Sequence, residues 1–459
     1  MNTMSFPSMR IDALTLIVGL GETGVAAALW CAQHGVALRV LDTRVSPGGL
    51  AALREGLKGA QVDYRLGEDK FNEAALEQVG TIVLSPGLSP LQEPVKSLLA
   101  LAADHGIEVI GEIELFARAL ADMATQGYSP RLLAITGTNG KTTVTAMVRQ
   151  LVQASGMSVK AAGNISPAAL AALRQAIADG DLPDVWVLEL SSFQLEGIRS
   201  LAPDAAAVLN VTQDHLDWHG SMQAYTAAKA RLVQMARVAI VNRDDPLVAG
   251  MVAEIKGLGV RSFGKDEPRC QGDLGLENSN GMQWLAAAEA DDFDFPVATG
   301  KRKKAIAEPL RSAGHVARLM PVDALRVRGQ HNALNALAAL ALVRCLGAGW
   351  AGMLHALRDY GGEPHRAEFV RSIGGVDFIN DSKGTNVGAT VAALEGMGQR
   401  VVLIAGGVGK GQDFSPLNKV VAQHARAVVL IGQDARIKAS RPMKPPGLSN
   451  DTAKASPAS

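Results

Sequence analysis

The sequence predicts an α/β protein built on parallel sheets, for two reasons. Aromatic residues make up only 4% of its 459 residues, whereas Ala, Gly, Val and Leu, which suit buried parallel strands, are abundant. Short apolar runs alternate with segments of helical periodicity along most of the chain. A single hydrophobic core rarely organises a chain of this length, so we expect two or three domains.

Charge and cysteine content narrow the classes of function. The chain has 45 basic and 45 acidic residues, a balance that favours neither nucleic acid nor an anionic membrane surface as a partner. Cys31, Cys270 and Cys345 lack the close spacing of a zinc site and fit a reducing cytoplasm. The apolar run LTLIVGLG is too short to span a membrane and lacks a cationic lead. We expect a cytoplasmic monomer without membrane insertion.

The first region, residues 1–110, contains the strand-like runs TLIVGLG, LRVLD and TIVLSPG. The segment GLGETG supplies Gly19, Gly21 and Gly24 in the spacing of a dinucleotide-binding fingerprint, and Asp42 ends the next strand. Alone, this pattern predicts an NAD(P)-dependent oxidoreductase. The same turn can hold a UDP group, because a helix N-terminus behind a glycine turn binds any phosphate or pyrophosphate. The motif therefore leaves the nucleotide undecided.

The second region, residues 111–362, contains TGTNGKTT at positions 136–143, between the apolar run LLAIT and the helical pattern VTAMVRQLV. The leading glycine of the usual phosphate-loop pattern falls on Ile135, so the match is incomplete. The strand, loop and helix nevertheless direct several backbone N–H groups and the helix dipole at one point. We expect Lys141 to reach the outer phosphates of a nucleotide and Thr142 to bind Mg²⁺. An ordinary tight turn with a solvated lysine is the alternative.

Further polar residues follow strands of the same region. Glu189 ends the strand VWVLEL, where phosphate-loop enzymes place a metal-binding carboxylate; a solvated strand-end glutamate is the alternative. The segment LNVTQDHLDWHG places Asp214 and His215 after another strand, which indicates either a site or a capped helix start. By spacing alone, Lys229 in YTAAKARL is a solvated lysine.

The last part of the chain breaks this pattern twice. A polar stretch at 264–310, with KRKK at 301–304, is expected to be a surface excursion. A third region, residues 363–459, has the strands VDFIND, VVLIAGG and AVVLIG. About three strands leave a sheet edge and helix faces uncovered. The sequence after Asp434 is rich in Pro, Ser and Lys, so we expect a disordered tail from about residue 436.

Seven blocks of sequence occur in order and resemble the Mur ligase family, from about residue 12 to about 434. They are GTNGKTT, ELSSFQLE, LNVTQDHLD, YTAAKARL, GQHNALNALAAL, EPHRAEF and NDSKGTN. The resemblance implies a Rossmann-like UDP-binding domain at 1–110, a central phosphate-loop ATPase domain with a parallel sheet at 111–362, and a C-terminal Rossmann-like α/β domain at 363–459. Family members continue with further helix and strand units, which this chain does not match, so the third domain is expected to be incomplete.

The resemblance also implies an activity. It implies an ATP-dependent amide ligase of peptidoglycan precursor synthesis, with UDP-N-acetylmuramoyl-L-alanine and D-glutamate as substrates and ATP, Mg²⁺ and CO₂ as cofactors. Such a ligase phosphorylates a carboxylate to an acyl phosphate, which an amine then attacks. Its product supports cell-wall biogenesis, cell shape and the cell division cycle. A non-catalytic chain that still binds the UDP-substrate and ATP is the alternative, because the glutamate pocket is incomplete.

The same resemblance assigns site residues. Those implied for ATP are Gly137, Thr138, Asn139, Gly140, Lys141, Thr142, Thr143, Asn332, Asn335, Arg366 and Asp381. Those implied for the UDP-substrate are Thr23, Asp42, Thr43, Arg44, Gly87, Asn164 and His215. Those implied for D-glutamate are Thr385 and Lys410. Those implied for metal are Thr142, Glu189, His215 and Lys229, the last as a carbamate formed with CO₂, whose negative charge can support a second Mg²⁺. The implied catalytic set is Lys141, Glu189, His215, Lys229 and Lys383.

Overall fold

The structure is a computed structural model that describes residues 4–57, 59, 61–253, 255, 259–290, 311–407 and 412–432. Its first sheet has five parallel strands in the order β3-β2-β1-β4-β5. These are β1 (Leu14–Val18), β2 (Leu38–Asp42), β3 (Asp63–Leu66), β4 (Val79–Leu84) and β5 (Glu108–Ile110), with helices α1 (Glu22–Gln33), α2 (Leu50–Leu57) and α3 (Val95–Asp104). The strand order reverses beside β1, and ligands of such sheets bind at the carboxyl ends of the strands there.

A nine-stranded sheet forms the centre of the molecule, in the order β14-β13-β12-β11-β10-β9-β6-β8-β7. Its strands are β6 (Arg131–Thr136), β7 (Val159–Gly163), β8 (Val185–Glu189), β9 (Ala205–Val208), β10 (Val238–Asn242), β11 (Gly259–Phe263), β12 (Leu274–Ser279), β13 (Met282–Glu289) and β14 (His315–Pro321). Its helices are α4 (Glu112–Ala124), α5 (Lys141–Ala154), α6 (Ala169–Asp179), α7 (Ser192–Glu196), α8 (Leu216–His219), α9 (Met222–Met235), α10 (Pro246–Gly250), α11 (Gln330–Arg344) and α12 (Trp350–Asp359).

The central strands are buried because helices cover them. All five residues of β8 are buried, as its continuous aliphatic sequence predicts for a parallel strand. Helices α5 and α11 pack together on one face with Val144, Val148, Leu337 and Leu340 in a shared core. This packing fixes the start of α5, where the candidate phosphate loop ends.

The prediction of a surface excursion at 264–310 is wrong for residues 274–289. These residues form β12 and β13, which with β14 add an antiparallel edge to the parallel sheet. The missed signal is the Asn280–Gly281 pair, whose two φ angles of 52° and 76° suit a tight hairpin turn. The basic run at 301–304 lies outside the described residues.

The C-terminal region contains two separate two-stranded sheets. Its elements are β15 (Glu368–Ile373), β16 (Val376–Asn380), α13 (Val387–Gly396), β17 (Val401–Gly406), α14 (Leu417–His424) and β18 (Ala425–Ile431). The three predicted runs are β16, β17 and β18, and β15 is an additional strand. Val402, Ile404, Val429 and Ile431 of the parallel pair are exposed, so within the described residues one apolar face of this sheet is uncovered. The predicted disordered tail lies outside the described residues.

One buried acid links α4 to α6 and makes stability depend on pH. Glu112 begins α4, and its Oε1 accepts the Leu170 N–H at 2.6 Å, whereas its Oε2 is buried without a hydrogen-bond partner. Burial raises the pKa of Glu112 to about 7, with the Leu170 N–H opposing and the nearby Glu22 adding to the shift. The unfolded chain ionises at the ordinary pKa of 4.5, so stability should fall as pH rises between these two values.

We therefore expect Glu112→Gln to melt at a higher temperature than the parent chain at pH 8. The amide keeps the acceptor for Leu170 and carries no charge, which removes a penalty on the order of 3 kcal/mol. Thermal unfolding at pH 6 and pH 8 measures the effect, with the exposed Glu77→Gln as the matched control. If Glu112→Gln and the parent chain show the same dependence of melting temperature on pH, the carboxyl does not titrate as inferred.

Candidate active site

The segment TGTNGKTT runs from the end of β6 through a loop at 137–140 into the start of α5, as predicted. Gly140 ends the loop with φ of +85°, and a Cβ there would lie 2.6 Å from the Asn335 side chain, so only glycine fits. Lys141 Nζ donates to the carbonyl oxygens of Gly137 at 2.9 Å and Thr138 at 3.0 Å. The lysine side chain therefore curls over the loop, with its ammonium group beside the backbone that precedes the helix.

A neighbouring loop fixes this conformation. The Asn139 N–H donates to Asn210 Oδ1 at 2.8 Å, and Asn210 Nδ2 donates back to the Asn139 carbonyl at 3.0 Å. The hydroxyls of Thr138 and Tyr225 lie 3.0 Å apart. Asn210 is absent from the predicted site. It lies in the block LNVTQDHLD, but its paired contacts to the phosphate loop have no signal in the local sequence.

The loop borders a cavity of about 540 Å³. Predicted site residues line most of it, and they are Thr138, Asn139, Gly140, Lys141, Thr142, Asn164, Glu189, His215, Arg366, Lys383 and Thr385. Ile165, Ser166, Asp214 and Asn386 complete the lining. Residues from the central sheet and from the start of the C-terminal region thus meet at one polar cavity.

A second cavity of about 250 Å³ adjoins the first and shares Asn139, Gly140, Arg366 and Lys383 with it. The predicted residues Thr143, Asn332, Asn335 and Asp381 line it together with the apolar Phe263, Val327 and Leu334. Asn335 Nδ2 donates to Asn332 Oδ1 at 3.2 Å, and Asn332 Nδ2 donates to the Arg328 carbonyl at 2.8 Å. Apolar walls with a few amides suit a flat heterocyclic base, so the two cavities together suit a nucleotide.

Glu189 lies at the end of β8, and one of its carboxylate oxygens has no hydrogen-bond partner. Its Oε1 accepts from Asn164 Nδ2 at 2.9 Å, and its Oε2 is buried without a hydrogen-bond partner. The Asn164 N–H also donates to the Glu189 carbonyl at 2.7 Å. This close approach needs Gly163, where a Cβ would lie 2.3 Å from the Glu189 carbonyl oxygen. A buried carboxylate oxygen without a donor is costly unless a cation or ligand satisfies it.

The donor atoms here are compatible with Mg²⁺. No group of three or more His, Cys, Asp or Glu side chains in the described part of the chain is arranged to hold a metal ion. Mg²⁺ is commonly bound by one or two protein oxygens together with phosphates and water. The free oxygen of Glu189 and the hydroxyl of Thr142 fit this pattern. The Thr142 hydroxyl also accepts from the Arg366 guanidinium at 2.8 Å.

The interpretation of Lys229 as a solvated lysine is wrong. Its side chain is buried at 1% exposure, donates to the Gly137 carbonyl at 3.0 Å and lies over the Tyr225 ring at 4.6 Å. Tyr225, Leu232 and Lys229 share the buried face of α9, and their helical spacing could have revealed this. Burial, and then the charge of Lys141, lower the pKa of Lys229 well below its usual value.

His215 occupies an unusual backbone position at the start of α8. It has a φ of +53°, which is uncommon for a residue with a side chain. Its N–H donates to Asp214 Oδ1 at 3.0 Å, and its Nε2 lies 3.6 Å from Asp214 Oδ2. Its ring packs edge-on against Phe193 with centroids 4.7 Å apart. These contacts hold His215 at the wall of the larger cavity.

The start of the C-terminal region supplies three further predicted residues to the cavities. Asp381 accepts the Ala367 N–H at 3.0 Å, and burial raises the pKa of Asp381 although this bond and Arg366 oppose the rise. Lys383 lines both cavities, and Thr385 lines the larger one. The predicted Lys410 lies outside the described residues.

Five of the seven residues predicted for the UDP-substrate lie at the first sheet, whereas Asn164 and His215 line the larger cavity. Asp42 ends β2, and its carboxylate accepts from the Leu20 N–H at 2.7 Å and from the Arg44 side chain at 2.8 Å. Burial raises the pKa of Asp42, but these bonds outweigh it and hold the pKa below its usual value. Asp42 therefore orients Arg44 beside the carboxyl edge. Thr23 and Thr43 are partly exposed and Gly87 is exposed; none of these residues lines the cavity beside the phosphate loop.

Three family profiles match the chain in order. They are the MurD-like N-terminal domain over residues 13–111, the Mur ligase middle domain over 135–343 and the Mur ligase glutamate ligase domain over 365–445. The UDP-N-acetylmuramoylalanine–D-glutamate ligase of Bordetella avium is 68% identical over 428 residues, which is 93% of this chain and 84% of the relative. The chain belongs to the Mur ligase family. The enzyme of the same name from Ralstonia nicotianae is 55% identical over the same shares of the two chains.

Solved structures of other Mur ligases have the same fold as this ligase. The MurF ligase from Thermotoga maritima in complex with ADP aligns with a TM-score of 0.53 at 17% identity and covers 88% of each chain. The UDP-N-acetylmuramate-alanine ligase MurC from Thermotoga maritima aligns with a TM-score of 0.50 at 20% identity, over 93% of this chain and 87% of the other. The predicted three-domain α/β fold is confirmed. No helix in the described part of the ligase is long and apolar enough to cross a membrane.

Proposed function

We propose that this Mur ligase adds D-glutamate to UDP-N-acetylmuramoyl-L-alanine at the expense of ATP, in peptidoglycan precursor synthesis. The relatives at 68% and 55% identity carry the name of this activity. The observation that supports it most directly is the cavity where Lys141, Glu189 and Lys383 surround one polar space. That space adjoins a second cavity suited to a base, as an enzyme that transfers the terminal phosphoryl group of ATP requires.

The residues of this cavity suit activation of a carboxylic acid. A carboxylate does not condense with an amine in water, because an oxide is a poor leaving group, and phosphoryl transfer gives an acyl phosphate with a good one. The two reactants are both anions and repel each other. Lys141, Lys383 and Arg366 line the cavity and would offset this repulsion, while the backbone N–H groups at the start of α5 hold phosphate oxygens.

The proposal includes metal binding. Thr142 and Glu189 would hold Mg²⁺, and His215 and a carbamate of Lys229 would support a second ion. Bound Mg²⁺ neutralises negative charge on phosphate oxygens and brings them near the carboxylate. The free Oε2 of Glu189 supports the first assignment. The lowered pKa of Lys229 supports the second, because only a neutral amine attacks CO₂.

The remaining assignments give each region its own ligand. We propose the limits 1–110 for the UDP-binding domain, 111–362 for the ATP-binding domain and 363–459 for the amino-acid-binding domain. Thr23, Asp42, Thr43, Arg44 and Gly87 would hold UDP, and Asn164 with His215 would contact the reacting end of that substrate. Thr385 and Lys410 would contact D-glutamate. We propose a cytoplasmic monomer whose product serves cell-wall growth and hence the cell division cycle.

A non-catalytic binder of ATP and the UDP-substrate is the second candidate. The uncovered apolar face at Val402, Ile404, Val429 and Ile431 favours it, because a parallel sheet is normally covered on both faces. A C-terminal sheet with one face uncovered would hold D-glutamate poorly. This candidate predicts nucleotide binding without turnover.

A phosphate-release assay with each substrate omitted in turn separates these functions. We expect phosphate only when ATP, UDP-N-acetylmuramoyl-L-alanine and D-glutamate are all present. Binding of a non-hydrolysable ATP analogue without phosphate release in the complete mixture would identify the non-catalytic chain. Binding of NADPH in place of the UDP-substrate would instead support the interpretation of GLGETG as the fingerprint of an oxidoreductase.

A further inference from the structure

Asn386 is a buried side chain that joins the C-terminal region to the central sheet. It is 7% exposed and precedes α13, where its Oδ1 accepts the Ala389 N–H at 2.9 Å. Its Nδ2 donates to Asn139 Oδ1 at 2.8 Å and to Asp214 Oδ2 at 3.3 Å. Asn139 Nδ2 donates back to Asn386 Oδ1 at 3.2 Å. We call Asn139, Asp214 and Asn386 the amide network.

The amide network connects three segments that carry the proposed chemistry. Asn139 belongs to the phosphate loop, Asp214 precedes His215, and Asn386 follows Thr385 directly. The first and last members are 247 residues apart in sequence. Together with the Arg366 contact to Thr142, the network places the start of the C-terminal region against the phosphate loop.

We infer that Asn386 is a positioning residue that holds Thr385, and with it the amino-acid substrate, over the phosphate loop. The inference rests on the proposed function and adds a residue to it. Asn386 does this through Asn139 and Asp214, whose side chains it fixes. An attacking amine must stand within about 3.5 Å of the activated carbon for reaction, so a small displacement of this region costs rate.

The chemistry of the position requires an amide. One oxygen must accept from a helix N–H and from Asn139, while one nitrogen must donate to both Asn139 and Asp214. Serine at 386 can cap the helix but cannot make the donations. Aspartate can also cap the helix, but it lacks the donors and puts a second carboxylate beside Asp214. These two substitutions therefore separate capping of α13 from positioning of the C-terminal region.

The test compares Asn386→Ser and Asn386→Asp with the parent chain. In Asn386→Ser we expect a melting temperature within about 2 °C of the parent and a kcat/KM for D-glutamate that is roughly 10- to 100-fold lower. The affinity for UDP alone should stay within about twofold, because the proposed nucleotide contacts lie at the first sheet. Asn386→Asp should lose at least as much kcat/KM as the serine variant.

A role in helix capping alone predicts a different result. Asn386→Ser would then keep the parental kcat/KM for D-glutamate, and this outcome overturns the inference. A parallel loss of affinity for UDP alone also overturns it, because positioning of the amino acid should not weaken the distant nucleotide contacts.

A double-mutant cycle tests whether Asn386 acts through Asn139. We expect Asn139→Ala and Asn386→Ser together to lower kcat/KM for D-glutamate by about fivefold less than the product of the single effects. Independent, multiplicative effects overturn the inference while leaving the proposed function intact. A parent chain that releases no phosphate with all three substrates overturns the proposed function, and the role of Asn386 with it.

Discussion

Lys141→Ala is expected to lower kcat/KM for ATP-dependent phosphate release by about 10³-fold. Lys141 is the cation at the start of α5, and its ammonium group lies within 3.0 Å of two loop carbonyls. Negative charge accumulates on the phosphoryl group as it transfers, and a cation held in a buried site stabilises that charge more strongly than one in water. Coupled phosphate release in the complete substrate mixture measures the loss.

The matched control for this variant is Lys265→Ala. Lys265 is exposed and lines neither cavity, so its removal changes net charge by the same amount without touching the site. Calorimetry with a non-hydrolysable ATP analogue should also show weaker binding to Lys141→Ala than to the control. If Lys141→Ala retains activity within about tenfold of the control, the loop is not the phosphate site and the proposed function fails.

Local sequence patterns predicted the framework of this site well. The strand before the phosphate loop, the helix after it, and the acidic end of β8 each depend on residues close in sequence. Apolar runs specify buried strands, and glycines specify the turn, so neighbouring residues determine where Lys141 and Glu189 stand. The Asn280–Gly281 hairpin was equally local, but its polar flanks concealed it.

Contacts between distant segments could not be predicted in the same way. Asn386 meets Asn139 across 247 residues, and no spacing in the sequence encodes that distance. Asn210 supports the phosphate loop through a pair of hydrogen bonds to Asn139, which is 71 residues away in sequence. The orientation of Lys229 is an intermediate case, because the helical periodicity of Tyr225 and Leu232 contained the information and the flanking alanines obscured it.

The second large effect concerns Lys229, which should be carbamylated in the active enzyme. The neutral amine of Lys229 attacks the carbon of CO₂: a C–N bond forms, the π electron pair of one C=O bond moves onto oxygen, and one proton leaves to solvent, which converts the neutral side chain into an anion. Only the neutral amine reacts, and burial, followed by the charge of Lys141, lowers the pKa of Lys229 and so populates that form. A carbamate nitrogen keeps one N–H, which can still donate to the Gly137 carbonyl now 3.0 Å away.

We therefore expect Lys229→Met, which keeps an unbranched apolar side chain as far as Cε and removes the nitrogen, to lower kcat by roughly 10²- to 10³-fold. The parent chain supplied with ¹³C-labelled bicarbonate should show a carbamate carbon resonance that Lys229→Met lacks and Lys265→Ala retains. Activity in CO₂-depleted buffer should recover with bicarbonate, and because protonation of the amine competes with carbamylation, the bicarbonate needed should increase as pH falls through the pKa of Lys229. A fully active Lys229→Met would show that Lys229 is not needed, and an active parent chain without the labelled carbon would show that Lys229 acts unmodified. Either result removes the support for a second Mg²⁺ at this position. The assignment of Glu189 to the first ion would stand, because it depends on the unpaired Oε2 of Glu189.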